Sequence, residues 1–112
     1  LLAADKIVIS TPIYNFGPPA AVKAWFDMVA RAGRTFKYEA TGPKGLVEGN
    51  KKVYLVVTSG GVPVGSPVDF CTPWFKQALN FLGISDIEII DSSQLNINDD
   101  NLKKAKEIIN NL

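Results

Sequence analysis

The chain has 112 residues, 46% of them apolar, and twelve Lys and Arg against eleven Asp and Glu leave a net charge of +1. That length holds one compact domain, the near-balance of charge gives no electrostatic footprint for nucleic acid or an anionic membrane, and no apolar run approaches the roughly 20 residues that span a bilayer. A single cysteine, Cys71, excludes an internal disulfide framework and a Cys-rich metal site, and the absence of histidine removes Ser-His-Asp and Cys-His machinery and the usual catalytic zinc sites.

Leu1-Leu2-Ala3-Ala4 reads as the last turn of a helix rather than a natural beginning, and no signal-type segment opens the chain. The expectation is a C-terminal portion of a longer α/β protein, with a processed complete domain as the alternative. Asp5-Lys6 leads into Ile7-Val8-Ile9, a β-branched run suited to a buried strand. Residues 18–32 open with Pro18-Pro19 and place Val22, Trp25, Phe26 and Val29 on one helical face. Residues 34–50 mix Thr, Tyr, Gly, Pro and Lys without a sustained period, which predicts a long loop or lid.

Val53-Tyr54-Leu55-Val56-Val57 is the second strand signal, and its continuous apolar character suits a central parallel strand covered on both faces, as for the first. Residues 70–82 follow Asp69 and carry Pro73 early. They set Cys71, Trp74, Phe75, Ala78, Leu79 and Leu82 along an apolar stripe, with Gly83 as the C-terminal stop. Ile87-Glu88-Ile89-Ile90 between two aspartates predicts an edge strand. Residues 99–112 follow Asn98 as N-cap and would bury Leu102, Ala105, Ile109 and Leu112. The order β-α-loop-β-α-β-α is that of a doubly wound parallel sheet in an α/β fold, here with three strands and three helices.

Two segments could carry chemistry. Ser10 to Pro18 follows the first strand, where ligands of open α/β sheets bind beyond the strands' carboxyl ends, and offers backbone donors, the Asn15 amide and the rings of Tyr14 and Phe16. The plainer reading is a strand-to-helix turn whose two aromatic residues cap the core. Thr58-Ser59-Gly60-Gly61-Val62 follows the second strand, and its paired glycines let backbone approach a ligand closely. It has neither a Walker ending nor GxGxxG, and alone it reads as a tight turn. Cys71 reads as a small buried hydrophobe, Trp25 and Trp74 as core or interface anchors, and Lys51-Lys52 as solvated surface. Asp27, Arg31 and Arg34 fit either an exposed helix face or pairing across a dimer.

Pro12-Ile13-Tyr14-Asn15-Phe16, the run Lys23-Ala24-Trp25-Phe26-Asp27-Met28-Val29-Ala30-Arg31-Ala32-Gly33, Thr35-Phe36-Lys37-Tyr38, Gly42-Pro43-Lys44-Gly45-Leu46 and Thr58-Ser59-Gly60-Gly61 come in one order and spacing. With these, the sequence from residue 5 to 112 resembles the FMN-dependent NADH-azoreductases, within the flavodoxin-like NAD(P)H:quinone oxidoreductases. The resemblance implies that Ile13, Tyr14, Asn15 and Phe16 lie along the isoalloxazine ring of FMN, and that Ser59, Gly60 and Gly61 meet its pyrimidine side. It implies that Tyr38, with Phe36, reaches the substrate side of the pocket across a homodimer interface. It further implies a cytoplasmic enzyme in which NADH or NADPH passes a hydride to the flavin and a quinone or azo compound then takes it, with no catalytic side chain and no metal. Many members carry a residue, often arginine, between the serine and the glycine pair, and here Ser59 runs directly into Gly60. The family's first strand, Ser-rich phosphate loop and second strand have no counterpart in these residues, so about 70–90 preceding residues are expected in the parent. A flavodoxin-type FMN carrier without NAD(P)H turnover is the alternative. A receiver domain is disfavoured by the lack of an acid cluster at the strand ends.

Overall fold

A computed structural model describes residues 3–47 and 49–112. The elements are β1 (Lys6–Pro12), α1 (Ala20–Val29), β2 (Phe36–Glu39), β3 (Gly42–Gly45), β4 (Lys52–Thr58), α2 (Thr72–Leu82), β5 (Asp86–Ser92) and α3 (Asp100–Asn110). β1, β4 and β5 form a parallel sheet in the order β1-β4-β5, with Lys6 opposite Lys52 and Lys52 opposite Asp86. The α/β reading with a doubly wound parallel sheet therefore holds, and β5 is the expected edge.

β4 alternates between fully buried and half-buried residues instead of being dry on both faces. Leu55 and Val57 cluster with Phe75 of α2, with Ile9 and Val22 around them, and Val53 clusters with Leu79 and Leu82 of α2, with Ile7, Ile9 and Phe26 around them. α1 and α2 thus share one face. Among the described residues β1 has a strand on one side only, β4, and Val8 is 67% exposed.

α1 starts later than expected because Pro19 is extended, with ψ 151°, and it ends at Val29 where Ala30 turns extended. The buried Thr35 fastens that end: its hydroxyl accepts from Arg31 N–H at 2.8 Å and donates to Val29 O at 2.9 Å. Asp27 pairs with Lys23 one turn earlier on an exposed helix face. α2 matches its expected stripe and stop, with Gly83 at φ 105°. Cys71 is fully buried, and Trp74 packs edge-on to Phe26 and Phe75, whereas Trp25 is exposed.

Other expectations need correction. Residues 34–50 are not an irregular lid, because β2 and β3 pair antiparallel with Tyr38 opposite Pro43. That hairpin is tied down by Val47 N–H to Leu82 O (3.0 Å) and by Phe36 packing on Phe81. Lys51 is not solvated surface: it is buried, and its ammonium donates to Ala4 O. Lys52 pairs with Asp86 at 3.0 Å. In α3, which packs on β5, only Ala105 is buried among the described residues, while Ile109 and Leu112 are exposed. The N-cap is Asp99 rather than the expected Asn98, and it makes no side-chain cap bond; Asn98 Oδ1 accepts from Asp100 N–H at 3.0 Å just ahead of the helix. Of the expected helical turn at residues 1–4, Leu1 and Leu2 lie outside the described residues, and Ala3 and Ala4 are not helical.

Candidate functional site

Parallel strands send all three following loops to one end of the sheet, and there a cavity of about 220 Å³ opens between residues 12–14, 58–60 and 95–96. Ligand sites for whole drug-sized molecules run to roughly 300–1,000 Å³, so this cavity accommodates one end of a ligand.

The first loop is a reverse turn of unusual hand. Tyr14 and Gly17 exchange both backbone hydrogen bonds, at 2.9 and 3.0 Å, around Asn15 at φ 50° and Phe16 at φ 69°. Both central residues in the left-handed region define a type I′ turn, which Asn tolerates and Phe does not favour. The surroundings impose it: Ile13 N–H donates to Thr58 O at 2.8 Å, and Phe70 N–H donates to Phe16 O at 2.9 Å. Ile13 is anchored in the core against Leu55, Val57 and Phe75, while Tyr14 is 60% and Phe16 54% exposed. The segment is the turn from β1 to α1, and among the described residues its two rings do not cap the core.

In the second loop Ser59 is buried and its hydroxyl is committed inside the protein, donating to Val62 O at 2.5 Å and accepting from Gln94 N–H at 3.0 Å. Gly60 and Gly61 follow. The N–H groups of Asn15, Phe16, Gly60 and Gly61 have no acceptor among the described residues.

The third loop, after β5, escaped the sequence reading. Leu95 N–H donates to Ser59 O and Asn96 N–H to Gly60 O, each at 2.9 Å, so this loop is laced to the second. Gln94 holds φ 64°. The three left-handed non-glycine residues among those described thus all lie on loops bordering the cavity, where strain commonly marks function. Gln-Leu-Asn carries no motif that announces this position.

Asp69 organises the loop that leads into α2. Its buried carboxylate accepts from Cys71 and Thr72 N–H at 3.0 and 2.9 Å and from Gly65 N–H at 3.0 Å. Burial alone would raise its pKa, but the Gly65, Thr72 and Cys71 donors outweigh it and hold the carboxyl below the usual range. Cys71 is pushed up to about 11 by burial, reinforced by the Asp69 charge, which makes it a poor nucleophile at neutral pH. Among the described residues no group of three His, Cys, Asp or Glu could hold a metal, and no helix is long and apolar enough to cross a membrane.

Phe36 and Tyr38 stand apart from this crevice, on β2. Tyr38 is 73% exposed, with its ring edge-on to Phe36. Phe36 does not project with it: it turns inward against Phe81, since the hairpin must bury one face to stay attached.

The family described as Flavodoxin-like fold matches residues 1–112, and the chain belongs to it. An FMN-dependent NADH:quinone oxidoreductase of Erythrobacter litoralis (strain HTCC2594) is 62% identical over 90 residues, 80% of this chain and 45% of the relative. One from Pelagibacter ubique (strain HTCC1062) is 46% identical over 113 residues, covering 100% of this chain and 58% of the relative. The crystal structure of an FMN-dependent NADH-azoreductase from Bacillus anthracis strain Ames Ancestor, in complex with FMN, superposes with a TM-score of 0.88 at 28% identity. That superposition covers 98% of this chain and 55% of the other. The chain spans about half the length of the curated relatives it matches.

Proposed function

We propose that this chain supplies the C-terminal portion of a flavodoxin-like domain whose crevice holds the isoalloxazine ring of FMN, and that the whole protein oxidises NADH or NADPH and reduces quinones or azo compounds. The observation that carries the reading is the meeting of three strand-end loops on one cavity lined by Tyr14, Gly60 and Asn96, with the exposed ring of Phe16 and unsatisfied backbone amides on the same loops. A flat heteroaromatic ring with a rim of carbonyl and N–H groups fits that donor set. The identity to proteins named for this activity supports it.

FMN, when bound, supplies the hydride chemistry. The protein's own residues would hold and orient it. Asn15 offers a side-chain amide at the ring edge, and Gly60 and Gly61 offer backbone donors without side chains between them and a ligand. Ile13 seals the floor toward the core, and Ser59 acts as a brace through its hydroxyl. No residue needs to be a nucleophile, in keeping with a histidine-free chain and a buried Cys71.

The phosphate anchor and further strands would come from the rest of the domain. The open edge of β1 supports this, since Ile7, Val8 and Ile9 with Ala21, Val22 and Trp25 line an apolar groove of about 340 Å³. The working unit is a cytoplasmic homodimer in this reading. Met28, 76% exposed on α1, supports the dimer contact, and Tyr38 would reach the partner's pocket.

Steady-state NADH oxidation with a quinone acceptor tests the activity in the full-length protein reconstituted with FMN. Quinone-dependent turnover is expected. FMN binding without turnover would favour the electron-carrier alternative instead.

A further inference from the structure

Asn96 sits at the mouth of the cavity with its backbone and side chain in separate roles. Its N–H donates to Gly60 O at 2.9 Å and fixes the loop after β5 against the loop after β4. Its side-chain amide has no hydrogen-bond partner among the described residues. A Cβ built on Gly60 would lie 2.5 Å from Asn96 Nδ2 and 3.2 Å from its Cγ. The amide therefore occupies the volume that any other side chain at position 60 would claim.

We propose that the Asn96 amide is a further ligand contact, hydrogen-bonding the uracil-like rim of the flavin ring, and that position 60 is glycine to leave this amide room. The proposal rests on the crevice being a flavin site. A carboxamide carries two donors and an acceptor, which complements a rim of alternating carbonyl and N–H groups. The backbone that carries it is set in advance by the Asn96 N–H bond to Gly60 O and by the strained Gln94, whose N–H is held by Ser59 Oγ. A loop backbone fixed before the ligand arrives leaves only the side-chain torsions of Asn96 to be ordered on binding. Gly61 differs: a Cβ there meets nothing within 4 Å, so the steric demand is specific to position 60.

FMN titration of the full-length protein, followed by flavin fluorescence, separates this from a direct role of Gly60. Asn96→Ala is expected to weaken FMN on the order of five- to tenfold, as loss of one ligand hydrogen bond does. Gly60→Ala should cost a similar factor by displacing the amide, and the double variant should be no worse than either single one. Asn96 is exposed, so the melting temperature of the apoprotein should not change with Asn96→Ala. In Asn96→Asp the amide gives way to an acceptor-only carboxylate of the same size, and the reduction potential of bound flavin should move negative. Wild-type affinity in Asn96→Ala, additive losses in the double variant, or an unmoved potential in Asn96→Asp would overturn the proposal. If the unaltered full-length protein fails to bind FMN, the flavin reading itself falls, and this assignment with it.

Discussion

Asn15 and Phe16 hold backbone angles that most side chains avoid, and only Asn15 has a side chain adapted to them. This separates the conformational role of position 15 from its chemical one. Asn15→Ala should lower stability by about 1 kcal/mol through the left-handed φ. Asn15→Gly should keep stability within about 0.5 kcal/mol of wild type. Both variants should lose flavin from the full-length protein, measured as bound FMN after gel filtration beside urea melts. Full retention in Asn15→Gly would remove the side chain from the site. Much at this scale was legible, because Tyr14, Asn15, Phe16 and the glycine pair belong to compact runs that follow strands. Ser59 shows the limit. Its position can be read from sequence, but the partners of its hydroxyl, Val62 O and Gln94 N–H, depend on the fold.

The hairpin of β2 and β3 is the element that sequence concealed. Gly42-Pro43-Lys44-Gly45 has no β-branched residue and no alternation, and it forms a strand because Phe36–Glu39 pairs with it and Phe36 finds Phe81. Its glycine at 45 has a definite cause. A Cβ there would lie 2.3 Å from Gly83 N and Leu82 C, backbone atoms that cannot step aside. Gly45→Ala should therefore destabilise by about 2–3 kcal/mol, while Gly61→Ala, with open space, should stay within about 0.5 kcal/mol in the same urea melts. α2 carries a second prediction through Asp69. Its carboxyl titrates below the unfolded value, so its contribution is present above the ordinary carboxylate range and is lost as pH falls through the folded pKa. Asp69→Asn should be about 1–2 kcal/mol less stable at pH 7, and the gap to wild type should narrow steadily in melts taken from pH 5 down to pH 3. A gap independent of pH would mean that the charge at position 69 is irrelevant. The helices themselves were legible from their periods, but periodicity reports spacing and not how much sheet lies beneath. Ile109 and Leu112 of α3 keep the expected spacing yet are exposed among the described residues.

Across the whole molecule, the parallel order β1-β4-β5 gathers the three strand-end loops at one end, so residues more than 80 positions apart in sequence, such as Tyr14 and Asn96, line one cavity. Fold class and two of the three loops were readable because parallel strands alternate with helices. The third loop was not, since its place depends on β5 lying beside β4 and on backbone bonds to Ser59 and Gly60. The flavin reading makes these loops one binding surface. Hydrogen–deuterium exchange of the full-length protein with and without FMN examines that surface directly. Slowed exchange is expected together at residues 13–17, 59–62 and 94–97. Protection elsewhere, with these three segments exchanging as fast as in the apoprotein, would contradict a flavin site at the strand ends.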